Sequence, residues 1–277
     1  MPAYVFAVVL FAALLHATWN AIVKSAGDKF LTTMMVTAAA AGVSAVLLPF
    51  LAAPAAASWP YAAGSALLQV GYFLLVARTY EVADMSLTYP LMRGTAPLLV
   101  ALVTVLQMGE SLSFIAWIGV IGISVGILSM SLGSTLGHRK GIGLALLTAF
   151  VIAGYTLVDG VGVRKSGSPA AYTLWVFLST GLPFAIWAVT GRRMTFLPYA
   201  ARHWRIGMVG GVGATASYGL ALWAMTIAPV AVVAALRETS ILFGTLIAGL
   251  ALREHIGLRR MLAACIIAGS AALLRMA

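Results

Sequence analysis

Charge is scarce in this chain, and acid scarcest of all. Asp, Glu, Lys and Arg make up 9% of its 277 residues, and only seven of them are acids. With 62% hydrophobic residues and a mean hydropathy of +1.03, there is too little polar surface to cover a water-soluble core. Seven acids scattered along the whole chain also fail to supply the clustered carboxylates with which an intramembrane enzyme holds a metal and a diphosphate, so the chain is not read as an enzyme. The single cysteine, Cys265, lies in an apolar run and offers neither a disulfide framework nor a metal cluster. No GxxxxGK[ST] loop occurs, which excludes direct drive by ATP through that device. No ring of like charge or filter-like string supports a channel. The basic excess of +10 sits in short loops between apolar runs rather than in an aromatic-interleaved patch, so nucleic acid is not expected as a partner. Nothing calls for a cofactor or a metal.

Apolar length is abundant. A membrane-spanning helix needs about 20 apolar residues, and Gly, Pro and charge divide the chain into ten runs of about that length: 3–23, 31–51, 60–79, 85–107, 113–131, 141–163, 170–190, 205–226, 229–251 and 257–275. They leave no room for a soluble catalytic domain. The first run lacks a positively charged leader and carries His16, Trp19 and Asn20, which reads as a retained helix. The chain also repeats itself at a shift of 144 positions: Arg93/Arg237, Thr95/Thr239, Leu98/Leu242, Leu102/Leu246 and Glu110/Glu254 coincide. Five spans per copy is an odd number, so the second copy must cross the membrane in the opposite sense, as in many transporters whose site lies near the midplane between inverted repeats. The expected fold is an all-α membrane protein of about ten transmembrane helices, with repeats at 1–132 and 141–277 joined by a linker at 133–140.

Lys and Arg are distributed unevenly over the two faces of this arrangement. One face receives Lys24, Lys29, Arg78, Arg139, Lys140, Arg192, Arg193, Arg202, Arg205, Arg253, Arg259 and Arg260; the other receives Arg164, Lys165 and Arg275. The richer face is expected in the cytoplasm, which puts both termini on the non-cytoplasmic side. Gly119, Gly122 and Gly126, and Gly207, Gly210, Gly211 and Gly213, allow helices to approach closely, either within a monomer, the favoured reading, or at a dimer seam.

Candidate site residues follow from polar or aromatic groups placed where hydrocarbon would otherwise be. Helical spacing groups His16, Trp19 and Asn20 on one face of the first span and Gln69, Tyr72 and Phe73 in the third, echoed by Ser217, Tyr218 and Trp223 in the eighth. Such stripes either line a permeation path, with rings for stacking and amides for hydrogen bonds, or bond neighbouring helices. Trp59, Tyr61, Trp117 and Trp204, near span ends, read as interfacial anchors. Tyr89 and Arg93 share a face, as do Tyr155 and Asp159. An arginine near mid-bilayer costs roughly 2.5–3.5 kcal/mol and persists where it meets a cavity or a partner charge. Arg93 and Arg237 together with Asp159 and Glu238 sum to zero formal charge, which invites pairing across the repeats. Being adjacent, Arg237 and Glu238 point apart and seek different partners. Each deep arginine is then either a structural bridge or a group that binds a carboxylate or gates the path.

Trp19-Asn20 followed by Lys24, the run from Ala83 through Pro97 to Gly109-Glu110, and its counterpart from Ala228-Pro229 to Arg253-Glu254 together resemble the drug/metabolite transporter superfamily, in particular its ten-helix EamA-type exporters. The Trp and Tyr content of the cavity helices resembles the YddG-like aromatic amino-acid exporters. The resemblance covers essentially the whole chain. It implies a multi-pass protein of a bacterial-type inner (plasma) membrane that exports small metabolites, above all amino acids including aromatic ones, by alternating access through a midplane cavity. Hydrophobic drugs are the alternative solute. Partners are a small-molecule substrate and the lipid bilayer, and the protein is expected to be a monomer. One departure stands out: many members of the family keep their termini in the cytoplasm, whereas the charge count here says the reverse. Proton coupling would draw on His16, Asp159 or Glu238.

Overall fold

A computed structural model of the chain describes residues 1–132, 139–250 and 257–277, apart from the side chains of Lys24, Ser25 and Lys29. The stretch 133–138 of the expected linker and the pair Arg253-Glu254 lie outside the described residues. Within them every regular element is a helix: α1 (Ala3–Ser25), α2 (Lys29–Leu47), α3 (Trp59–Val82), α4 (Met85–Gln107), α5 (Phe114–Ser129), α6 (Arg139–Ser166), α7 (Pro169–Gly191), α8 (Arg193–Met225), α9 (Val230–Arg237), α10 (Ser240–Leu250) and α11 (Leu258–Met276), with two short 3₁₀ turns between α2 and α3. Eight of the segments are long and apolar enough to cross a membrane, with α9 and α10 counting as one, and α5 is a shorter apolar helix. The tenth, α11, carries Arg259, Arg260 and Arg275 at its ends. Large apolar side chains such as Leu67 (75% exposed) and Leu106 (78%) face outward along these helices, which suits lipid rather than water.

Local chemistry sets the boundaries. Asp28 and Ser113 accept hydrogen bonds from Leu31 N (2.9 Å) and Ala116 N (3.1 Å), satisfying amides that the first turns of α2 and α5 leave open. Gly109 and Gly167 adopt φ of 69° and 64° just beyond α4 and α6, a left-handed turn that a side chain would strain. Two boundaries differ from the sequence expectation. Helix α8 starts at Arg193 rather than at 205; Arg193, Pro198, Arg202 and His203 interrupt the apolar run there, and the helix forms in spite of Pro198 rather than by propensity. The ninth crossing is not continuous. It breaks at Glu238-Thr239, where both amides bond to carbonyls three residues back (3.0 Å each).

The two halves interlock. Helix α1 packs on α8 as α6 packs on α3; α2 packs on α8 as α7 packs on α3; α4 packs on α6 as α9 and α10 pack on α1. Three further contacts join an element to its own counterpart: α2 with α7, α5 with α11, and α4 with α9. Every one of these contacts survives exchange of the halves, as two inverted five-helix repeats require. The glycines serve this packing within the chain. A Cβ at Gly122 would overlap the Ser270 hydroxyl of α11, and one at Gly211 would fall 2.7 Å from the backbone nitrogen of Ala40 in α2.

The α2, α4, α6, α8 and α11 starts share one face with Arg78, Arg192 and Arg259, here termed the basic face. Met1, Arg164, Lys165 and Arg275 share the opposite, terminal face, where Arg275 donates to the Met1 carbonyl (3.2 Å).

Candidate functional site

A cavity of about 150 Å³ lies between the halves, walled by α1, α2, α3, α4, α6, α7, α8 and α9. The α5/α11 pair stands outside it. His16, Trp19 and Asn20 come from the basic-face end of α1, and Thr33, Val36 and Thr37 from that end of α2, so the cavity opens toward the basic face. Tyr155, Phe177 and Tyr218, nearer the middle of their helices, form its floor. The walls are aromatic and mutually braced: His16 meets Trp19 edge-on (5.3 Å between centroids), Tyr72 contacts Phe73 (5.3 Å) and Tyr155 (5.9 Å), and Tyr218 contacts Phe177 (5.8 Å).

Eleven of the fifteen residues singled out from the sequence line this space: His16, Trp19, Asn20, Gln69, Tyr72, Phe73, Tyr89, Arg93, Tyr155, Tyr218 and Arg237. Asn20 stands exposed at the mouth, its amide donating to the His16 carbonyl (2.7 Å). Four do not line it. Ser217 is buried but points about 100° away from Tyr218 around α8. Trp223 packs on Tyr4 (6.3 Å) toward the terminal face. Glu238 lies behind Arg93, and Asp159 beneath the floor. The walls from α2 and α7, with Thr33, Thr37, Phe177 and Thr180, were missed. Their only sequence signal is hydroxyls at i, i+4 in α2 and i, i+3 beside a ring in α7. Two polar atoms in the lining are buried without a hydrogen-bond partner, the Trp19 indole Nε1 and the Thr180 hydroxyl.

The deep charges resolve into three arrangements. Arg93 Nε donates to Glu238 Oε2 at 2.8 Å, a buried pair that ties α4 to the break between α9 and α10. Asp159, fully buried, accepts from the Tyr172 hydroxyl (2.9 Å) and the Tyr218 hydroxyl, with a long contact from Gln69 Nε2 (3.5 Å). Gly162 lets Tyr172 reach it, since any Cβ there would collide with the tyrosine ring. Arg237 has no carboxylate partner among the described residues. Its guanidinium lies over the Tyr218 ring, 4.8 Å from the centroid, at the cavity wall. The expected neutral set of four is therefore half realised.

Below the floor the terminal face is closed by a second set of contacts. Arg164 donates to the Met225 carbonyl (2.7 Å) and the Ala228 carbonyl (3.1 Å), which the end of α8 leaves open, and pairs with Glu110 (2.8 Å). Glu110 in turn accepts from Val230 N (3.1 Å) at the positive start of α9. Lys165 adds a bond to the Tyr61 hydroxyl (2.8 Å). The sequence marked Glu110 only through its duplication.

Residues 139–276, the whole of α6 to α11, match the EamA-like transporter family. The second half of the chain is thus similar to this family. The EamA-like half supplies Tyr155, Asp159, Arg164, Tyr218, Arg237 and Glu238, and the family comprises membrane transporters rather than enzymes. Solved structures extend the likeness of fold to both halves. One, titled only as the crystal structure of a protein, superposes with a TM-score of 0.75 at 17% identity, covering 99% of this chain and 96% of its own. No curated protein matches the sequence.

Proposed function

We propose that the protein is a secondary transporter of the drug/metabolite type that exports small metabolites, amino acids including aromatic ones, across a bacterial-type inner membrane. One observation carries this reading: an aromatic cavity at the junction of two inverted repeats, open at the basic face and sealed at the other by Glu110 and Arg164. Rocking one half against the other would break that seal and close the basic mouth, so the cavity would face each side in turn. The volume supports a solute of one-ring size, since a cavity of about 150 Å³ takes up benzene in another protein. The excess of Lys and Arg supports a cytoplasmic basic face, and hence loading from the cytoplasm. Purified protein in liposomes preloaded with phenylalanine is expected to take up labelled phenylalanine by saturable counterflow, with the label chemically unchanged. Absence of counterflow, or uptake that never saturates, would refute carriage of this class.

A further inference from the structure

Resting on that transporter reading, we propose that Arg237 anchors the carboxylate of the solute, so that the cavity accepts aromatic acids, with or without an amino group, and rejects the matching amines. Both acids that could neutralise Arg237 are engaged elsewhere. Glu238, its neighbour in sequence, turns the other way at the helix break and bonds to Arg93 (2.8 Å). Asp159 is held beneath the floor by the Tyr172 and Tyr218 hydroxyls. Arg237 lies over the Tyr218 ring at the wall of the open cavity, and it also borders a small cleft shared with Arg93 and Glu238. A half-buried guanidinium with five donors and, among the described residues, no carboxylate within ion-pair distance lacks the hydrogen-bonded partner that such a group ordinarily has inside a membrane, although the charges of Glu238 and Asp159 reach it through space. A carboxylate entering from the basic face would supply it, in the paired geometry that arginine favours.

The remaining unsatisfied atoms fit the same guest. The Trp19 indole N–H, which can only donate, has no acceptor, and the Thr180 hydroxyl, 3% exposed and unpartnered, can donate or accept, so a carboxylate oxygen would satisfy the indole where an ammonium group could not. No carboxylate in the lining is left free to receive an ammonium group. An amine would add a cation beside Arg237, whereas an acid would give it the hydrogen-bonded carboxylate it lacks. The rings of Tyr72, Tyr155 and Phe177 provide flat apolar walls for the aromatic part.

The test is competition against phenylalanine counterflow by compounds that share one ring: 3-phenylpropanoate, which lacks the amine, and phenethylamine, which lacks the acid. 3-Phenylpropanoate should compete within a few-fold of phenylalanine and phenethylamine at least about tenfold more weakly. Arg237→Gln should weaken both acids about 10- to 100-fold, from loss of charge-assisted bonds, and bring acid and amine level. Arg237→Lys should restore part of the preference. Equal competition by phenethylamine and 3-phenylpropanoate in the wild type overturns the anchor while leaving the transporter reading in place. So does an Arg237→Gln protein that elutes as folded and keeps its preference for acids. If Arg237→Gln fails to fold, the wild-type series decides alone. If the wild type moves none of these compounds, the transporter reading for aromatic solutes falls, and the anchor with it.

Discussion

Arg93 and Arg237 occupy the same register in the two halves, yet one is buried in an ion pair and the other lies over a ring with no carboxylate in ion-pair contact among the described residues. The difference arises one residue later. At the position after Arg93 the first half has Gly94, where a Cβ would come within 2.7 Å of Leu128 in α5, and α4 continues there as one helix at close quarters with its neighbour. The second half has Glu238 at that position, and its helix opens for Glu238 and Thr239 before resuming as α10. That opening brings the Glu238 carboxylate across the junction to the Arg93 of the other half and leaves Arg237 over the Tyr218 ring. Within a symmetric frame, a single non-equivalent residue leaves one arginine in a buried ion pair and the other over a ring.

The comparison breaks most readily at the ion pair. Removing one member of a buried pair strands the other charge, at a cost of about 3–5 kcal/mol, whereas replacing both by apolar residues of similar size is often neutral. Arg93→Ala and Glu238→Ala should each lower the yield and thermal midpoint of the detergent-purified protein severely, and the double change Arg93→Met with Glu238→Met should recover most of the loss. Single variants that melt like the wild type would mean that the pair does not hold the halves together.

A smaller effect is expected at the seal, where the terminal face differs from the open basic face. Glu110→Gln removes the charge that faces Arg164 and the start of α9, an interaction of about 1.5–3 kcal/mol if charge-assisted bonds behave as usual. The population open at the terminal face should rise about tenfold or more for such a change. With Cys265→Ser as background, Ala228→Cys reports on that face. An impermeant maleimide applied there should label it faster in the Glu110→Gln protein, and equal rates would show that the seal does not govern opening.

Much of this architecture was legible before any coordinates. Ten apolar runs, the duplicated Arg and Glu and the odd count per copy lead to the interlocked halves, because hydrocarbon thickness and topology leave few alternatives. The aromatic and amide stripes of α1 and α3 likewise fall on the cavity. What escaped was whatever carries no unusual residue. The break at Glu238-Thr239 has neither Gly nor Pro and sits in a continuous apolar run, so periodicity gives no warning of it. The α2 wall consists of Thr, Val and Ala, which look like any span. Adjacency alone showed that Arg237 and Glu238 diverge, but which acid reaches which arginine depends on a turn that periodicity does not encode. Trp223 was grouped with Tyr218 by proximity in sequence, although five residues place the two side chains about 140° apart around a helix.

The smallest expected change is in the stability of the free protein when Arg237 is altered. Two terms oppose each other in Arg237→Gln. The cation–π contact with Tyr218, 4.8 Å away, is lost, at about 0.5–2 kcal/mol. A partly desolvated charge with no anion is also removed, which relieves some of the roughly 2.5–3.5 kcal/mol that such a residue costs near mid-bilayer. The thermal midpoint of Arg237→Gln should therefore match or slightly exceed that of the wild type, in contrast to Arg93→Ala. A melt as severe as that of Arg93→Ala would reveal that Arg237 is structural as Arg93 is. The response to solute sharpens the contrast: 3-phenylpropanoate at about 100 times its dissociation constant should stabilise the wild type by about 2.7 kcal/mol, and at the same concentration should leave the Arg237→Gln midpoint nearly still, because the anion would then meet a neutral amide.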